Sequence, residues 1–219
     1  MNESPTVHPS GLAKYRLEAL IDGVFAVALT LLVLDIRLPD NAPALTDADL
    51  AAQLLTLERH FVIYIVSFIV IGMYWTNHHI QFHFVARTNR RLIWLNLAYL
   101  LIVSFLPFCT DLIGDHKNLV LPCEIYGVAL LALSAVSFAH LEYLARHPEL
   151  ATAALTPDVV RLIRPRIALF AVLPLVSMAV AFVSTVAAVY IYALLVIAHF
   201  AASRVDRRIT QSQSAAEGA

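Results

Sequence analysis

From Gly23 to Leu34 the chain runs without a charged residue, inside the stretch RLEALIDGVFAVALTLLVLDIRLP from Arg16 to Pro39. A hydrocarbon core of about 30 Å takes about 20 residues of helix to cross, and this run is long enough. A segment in lipid must satisfy its own backbone hydrogen bonds, so it is read as a helix and as the first span. The whole chain carries the same message. It is 60% apolar and 14% charged, against about half and about a quarter in a soluble domain. The fold class is therefore all-α, a polytopic membrane protein. A formal net charge of -1 and the lack of a basic tail give no sign of a nucleic-acid partner.

Ala42-Pro43-Ala44 follows the first run and loosely resembles a signal-cleavage site. The run exceeds the roughly 7 to 15 residues of a signal core, and Asp35 and Arg37 stand between it and that site, so it is expected to remain as a span. Residues 1–11 are polar and aperiodic and are read as a disordered terminus. Thr46-Asp47-Ala48-Asp49 reads as a helix start with acids in its first turn, and that helix can run straight into span two. Spans two, three and four are placed at about Phe61–Phe82, Leu92–Ile113 and Leu119–Leu144. Pro107 removes a backbone hydrogen bond from span three and should kink it near Ser104. In the polar stretch Ala145–Arg164, Thr156-Pro157-Asp158 reads as an N-cap followed by proline at the first helical position. The last apolar stretch, Pro165 to Ser203, is too long for one crossing and is divided near Ser184-Thr185 into spans five and six. Residues 12–208 then form a six-helix transmembrane domain, and 209–219 a polar tail.

Six spans put both termini on one side of the membrane. Of the 15 basic residues, only Arg37, Arg59 and Lys117 fall on the other side. Lys14, Arg16, Arg87, Arg90, Arg91, Arg146, Arg161, Arg164, Arg166, Arg204, Arg207 and Arg208 share the side of the termini, which is therefore expected to be cytoplasmic in a plasma or bacterial inner membrane. The outer side gathers Asp35, Asp40, Asp47, Asp49, Glu58, Asp111, Asp115 and Glu124. Such an excess of acid would concentrate cations at an external mouth, although solvated loop charges have the same composition.

At 100° per residue, Leu31 and Leu34 lie within about 40° of Val27, with Arg16 on the same stripe and Asp22 about 140° away. By periodicity alone, such a stripe faces lipid or another helix. A carboxylate at the depth of Asp22 costs about 2.5 to 3.5 kcal/mol unless a neighbouring helix supplies a partner. Candidates stand at the inner end of span two: Trp75, Asn77, His78, His79 and His83, with Asn96 on span three. His79 and His83 have the i, i+4 spacing of zinc ligands, but no Cys or Glu accompanies them, so no metal is expected. Ser137, His140, Glu142 and Tyr143 lie along one helix without a nucleophile and base within reach, so the chain is not read as an enzyme. Two cysteines rule out a disulfide framework. Cys109 and Cys123, near the outer ends of spans three and four, could pair on an oxidising side, but free thiols among apolar neighbours are the commoner arrangement.

The first stretch resembles the signature of the lysosomal and endosomal potassium-channel family, a first-helix Arg followed four residues later by Phe-Ser-Asp and then Gly-Val-Phe-Ala. Arg16, Asp22, Gly23, Val24, Phe25 and Ala26 match, while Leu20 and Ile21 replace Phe and Ser. The block YWTNHHIQFHFVARTNRRLIWLNLAYLLIVSFLPF, Tyr74 to Phe108, resembles the same family at fixed distance. The resemblance implies a homo-tetramer in which helix one of each six-span subunit lines a central pore, narrowed by Val27, Leu31 and Leu34 with Thr30 on the same helix. It also implies that Arg16 and Asp22 are tied to His78 or His79, with Trp75, Asn77 and Asn96 completing a structural polar network. No Thr-Val-Gly-Tyr-Gly loop is present, so selectivity for potassium over sodium would arise from partial dehydration at apolar rings and be modest. Potassium is the implied permeant ion, with no cofactor. The alternative is an ion-coupled secondary transporter, which would use broken helices and charge at the midplane. The midplane here is almost bare of charge, and no inverted repeat is visible.

Overall fold

The computed structural model describes residues 9–38, 46–116 and 118–192. Its elements in chain order are α1 (Pro9–Leu31) with a 3₁₀ turn at Leu32–Asp35, α2 (Asp47–Thr56), α3 (Glu58–His83), α4 (Arg90–Asp115), α5 (Val120–Arg146) and α6 (Pro157–Ala181). A further helical stretch covers 185–192. α1 begins at Pro9, inside the segment 1–11 set apart above as a terminus. Residues 1–8, the tail 209–219 and the body of the sixth span lie outside the described residues.

Local sequence explains where these helices start. Thr46 caps α2 with a full capping box: its Oγ1 accepts from the Asp49 amide at 3.2 Å, and Asp49 Oδ2 accepts from the Thr46 amide at 3.0 Å. Leu57 alone separates α2 from α3. Asn89 caps α4, with Oδ1 accepting from the Leu92 amide at 2.9 Å. Thr156 caps α6, with Pro157 at its first positions. A turn at 182–184 ends α6, and Ser184 Oγ accepts from the Ala187 amide at 3.2 Å to start the next helix, where the last apolar stretch was expected to divide. Pro165 does not mark a helix start: α6 runs through both Pro165 and Pro174.

Among the described residues four helices are long and apolar enough to cross a bilayer: Lys14–Asp35, Glu58–His83, Arg90–Asp115 and Val120–Arg146. α6 is of similar length but carries Asp158, Arg161, Arg164 and Arg166 in its first half, which leaves a shorter apolar part than a full span. α1, α3, α4, α5 and α6 alternate in direction, since contacts join the start of one to the end of its neighbour. α4 packs against α1 on one side and α5 on the other, α6 packs on α5, and α3 touches α1, α4 and α5. The core is apolar and aromatic: Phe25 and Leu32 of α1 and its turn, Val70, Ile71 and Tyr74 of α3, Tyr99, Val103 and Leu106 of α4, and Leu130 and Leu133 of α5. Lipid tails are as apolar as leucine, so close van der Waals fit rather than water expulsion holds such helices together. Gly127 shows the fit at its tightest, since a Cβ there would overlap the Met178 side chain of α6. Cys109 and Cys123 are buried free thiols.

The two ends of the bundle differ. At one end Lys14 Nζ lies 5.9 Å from the centre of the Phe82 ring, the loop residues Val85 and Ala151 form a bridge, and Arg164 meets Glu142. At the other, an Arg59 Nη donates to the Ile113 carbonyl at 3.2 Å and His60 Nε2 sits 3.4 Å from Asp115.

Candidate functional site

α1 divides lengthwise into a covered and an open half. Ile21, Phe25, Ala28 and Leu32 are buried against α3 and α4, and the Phe25 ring lies 6.1 Å from that of Tyr99. On the other half Val27, Leu31 and Leu34 are 57%, 41% and 56% exposed, and Leu20 and Thr30 are exposed beside them. The stripe drawn from periodicity is thus the face that the subunit's own packing leaves uncovered. Next to it a groove of about 440 Å³ runs between α1 and α4, lined by Leu20, Gly23, Val27, Leu31 and Ser104 among others. Thr30 turns its hydroxyl back on its own helix, donating to the Ala26 and Val27 carbonyls at 3.0 and 2.9 Å. Its proton is spent on the backbone, and the oxygen faces outward as an acceptor only.

Asp22 lies at the edge of this open half and is exposed in the single chain, not buried as its depth in the span suggested. Its partner is Trp75, whose Nε1–H donates to Asp22 Oδ1 at 2.9 Å. His79 stacks on Trp75 with ring centres 5.5 Å apart. His78 does not reach Asp22. It is buried and bonds through Nε2 to Asn96 Oδ1 at 2.8 Å, while Asn96 Nδ2 donates to the Leu92 carbonyl at 2.8 Å. That second bond fixes the amide so that its oxygen faces the ring, and His78 Nε2 is therefore the protonated nitrogen. Asn77 turns a third way, donating from Nδ2 to Ser137 Oγ at 3.3 Å on α5. Arg16 is exposed on the stripe side of α1.

Helical geometry accounts for this separation. Relative to Trp75, His78 is about 60° and Asn77 about 160° around α3, so one turn sends polar side chains to α1, α4 and α5 respectively. The network expected around Asp22 is thus three separate ties between α3 and its neighbours. Ile21, standing where a serine was expected, is buried in the core and adds packing instead of a hydrogen bond.

Sequence reasoning passed over Gln81 and Tyr74. Gln81 Nε2 donates to the same Ser137 Oγ at 2.6 Å. The buried Tyr74 hydroxyl stands 3.1 Å from the Leu130 carbonyl and Ser134 Oγ and 3.2 Å from the Phe170 carbonyl. A polar residue on an otherwise apolar helix face was the available signal for both. Glu142 is held by Arg164 through two contacts of 2.8 and 2.7 Å. Ser137 and Glu142 are thus engaged in structural bonds. Among the described residues no group of three or more His, Cys, Asp or Glu side chains is arranged to hold a metal ion. His79 and His83 instead lie against the rings of Trp75 and Phe84.

The profile of the family described as the endosomal/lysosomal potassium channel TMEM175 matches residues 16–107, which span the α1 stripe and the ties from Trp75 to Asn96. A potassium channel of Streptomyces collinus is 35% identical over 175 residues, which cover 77% of this chain and 82% of that protein. A potassium channel of Chryseobacterium sp. is 36% identical over 131 residues, 60% of this chain. That match covers 64% of the relative, less than two thirds of its length. Among solved structures, the crystal structure of a lysosomal potassium-selective channel TMEM175 homolog from Chamaesiphon minutus superposes with a TM-score of 0.70 at 30% identity, covering 87% of this chain and 97% of that one.

Proposed function

This chain belongs to the TMEM175 family, and from that premise we propose that it is a potassium-permeable cation channel with modest preference for potassium over sodium. The subunit has six spans with both termini in the cytoplasm, and four copies surround a central pore in the cell membrane. α1 of each copy faces the pore, where Val27, Leu31 and Leu34 form successive apolar rings and Thr30 adds an acceptor oxygen. The observation that carries this reading is the uncovered apolar stripe on α1, opposite the half that packs into the subunit. The names of the bacterial relatives support the choice of ion.

A ring of branched apolar side chains offers an ion no replacement ligands, so passage costs part of the hydration shell. Potassium holds its water less tightly than sodium and passes more readily. Asp22, Trp75, His78, Asn77 and Asn96 act structurally in this scheme, fixing the rotation of α3 against α1, α4 and α5 and so the direction in which α1 presents its stripe.

Reconstitution into planar bilayers tests the proposal. Steady unitary currents that reverse near the potassium equilibrium potential are expected under a potassium gradient. Uptake into vesicles that saturates with substrate and requires a counter-gradient, without unitary currents, would replace the channel with a coupled transporter.

A further inference from the structure

At the arginine-rich end of the bundle, away from α1, a second groove of about 650 Å³ runs between α4 and α5. From α4 it is lined by Arg91 and Trp94, and from α5 by Phe138, Glu142, Tyr143 and Arg146. The spacing puts each set on one helix face. On α5, Phe138, Glu142 and Arg146 are four residues apart, and on α4, Arg91 and Trp94 are three apart. Along the α5 axis the groove runs about 12 Å from Arg146 to Phe138, at 1.5 Å per residue. The charged residues stand at the helix ends, and the apolar ones lie deeper. Trp94 is 61% exposed and Phe138 45% exposed, so the apolar part is open to whatever surrounds the bundle.

The charges do not cancel. Glu142 is mostly buried and is neutralised by Arg164, which approaches its Oε1 with two nitrogens at 2.8 and 2.7 Å. Arg146 adds only a looser contact of 3.5 Å and keeps 76% of its side chain exposed. Arg91 is exposed and its side chain has no ion pair or hydrogen bond among the described residues. Three guanidinium groups therefore face one carboxylate. Asn89 Nδ2 donates to the Tyr143 hydroxyl at 2.8 Å, which ties the start of α4 to the end of α5 and holds the floor of the groove in place.

A cationic rim at the membrane surface above an apolar, tryptophan-bearing trough matches one ligand chemistry, a phosphodiester headgroup with an acyl chain below it. We infer that this groove binds an anionic phospholipid, with Arg91 and Arg146 on the phosphate and Trp94 and Phe138 along the chain. The inference needs only that these helices lie in a bilayer, and it is independent of the ion that the protein conducts.

The chain has two tryptophans, Trp75 and Trp94, so bromine quenching can read the site in the intact protein. The protein is reconstituted in phosphatidylcholine doped with increasing mole fractions of either brominated phosphatidylglycerol or brominated phosphatidylcholine. One arginine near an anionic surface contributes about a fivefold preference, from about 1 kcal/mol. Half-maximal quenching is therefore expected at a mole fraction of phosphatidylglycerol at least about fivefold lower than that of phosphatidylcholine. R91Q/R146Q should bring the two curves together while still eluting as an assembled protein, because Arg164 continues to neutralise Glu142. W94F should remove the phosphatidylglycerol-selective component, which identifies Trp94 as its source. Equal curves in the native protein, no quenching by either lipid, or selectivity that survives R91Q/R146Q or W94F would each overturn the site.

Discussion

The tie between Asp22 and Trp75 joins the open edge of α1 to α3 by a single charge-assisted hydrogen bond of 2.9 Å. Such bonds contribute about 1.5 to 3 kcal/mol, and the exposure of both residues in the single chain favours the lower figure. D22A and W75F should each lower stability by about 1.5 kcal/mol, whereas D22N keeps an acceptor oxygen and should cost less. Thermal unfolding in detergent, followed by loss of the size-exclusion peak, provides the comparison. The double variant should fall short of the sum by about 1 kcal/mol, since both changes break one bond, and strict additivity would show that the bond contributes nothing. At this scale the sequence was legible in depth but not in direction. Counting along the helices places Trp75, Asn77, His78, His79 and Asn96 at one end of the bundle with Asp22. Which of them meets Asp22 depends on the rotation of α3 about its axis, and a difference of about 60° between neighbours on a helix exchanges a histidine partner for a tryptophan one.

An internal proline in α6 turns into a contact between elements. Pro174 has no amide hydrogen, so the carbonyl four residues earlier, that of Phe170, lacks its helical donor, and this carbonyl lies 3.2 Å from the Tyr74 hydroxyl on α3. Ser134 Oγ gives its own proton to the Leu130 carbonyl at 3.0 Å, so the single Tyr74 proton is shared between the Ser134 oxygen and the Phe170 carbonyl. Y74F removes the one hydroxyl that reaches these buried acceptors and should cost about 1 to 3 kcal/mol. P174A should relieve part of that cost, because an alanine at this position supplies the missing N–H. Thermal stability of Y74F, P174A and Y74F/P174A would settle it, and a double variant as unstable as Y74F alone would refute the role of Pro174. Helix starts were readable here because capping chemistry is local: Thr46 and Thr156 cap where their side chains suggest, and Ser184, read only as a turn, caps the helix that follows it. Helix continuity through Pro165 and Pro174 was not readable, because it rests on tertiary donors and packing supplied by other helices. The close approach of α5 and α6 at Gly127 was hidden for the same reason.

A pore is a property of the assembly, and a single subunit shows only the surface that would make it. The phase of the stripe was legible from helical periodicity, since Val27, Leu31 and Leu34 are among the side chains left open while Phe25, Ala28 and Leu32 fill the core. Its role was not legible from periodicity, because apolar side chains look alike whether they face lipid, another copy or a file of ions. Function separates these cases. If the three residues form successive rings, the barrier at the narrowest is the free energy of partial dehydration, and a polar side chain there returns some of the lost coordination to any cation. Val27→Asn, Leu31→Asn and Leu34→Asn should each raise conductance and shrink the preference for potassium over sodium, with the largest change at the tightest ring. A gain of about tenfold in permeation at that ring corresponds to a barrier lower by about 1.4 kcal/mol, within the range of a single added hydrogen-bonding group. Ala26→Ser is the control: it is also exposed, but about 100° from Val27 around the helix, so its hydroxyl points away from the file and should leave current and reversal potential unchanged. Reversal potentials and unitary currents under opposed potassium and sodium gradients separate the outcomes. Wild-type values at all three Asn variants of an assembled protein would move the stripe from the pore to the lipid or to a contact between subunits.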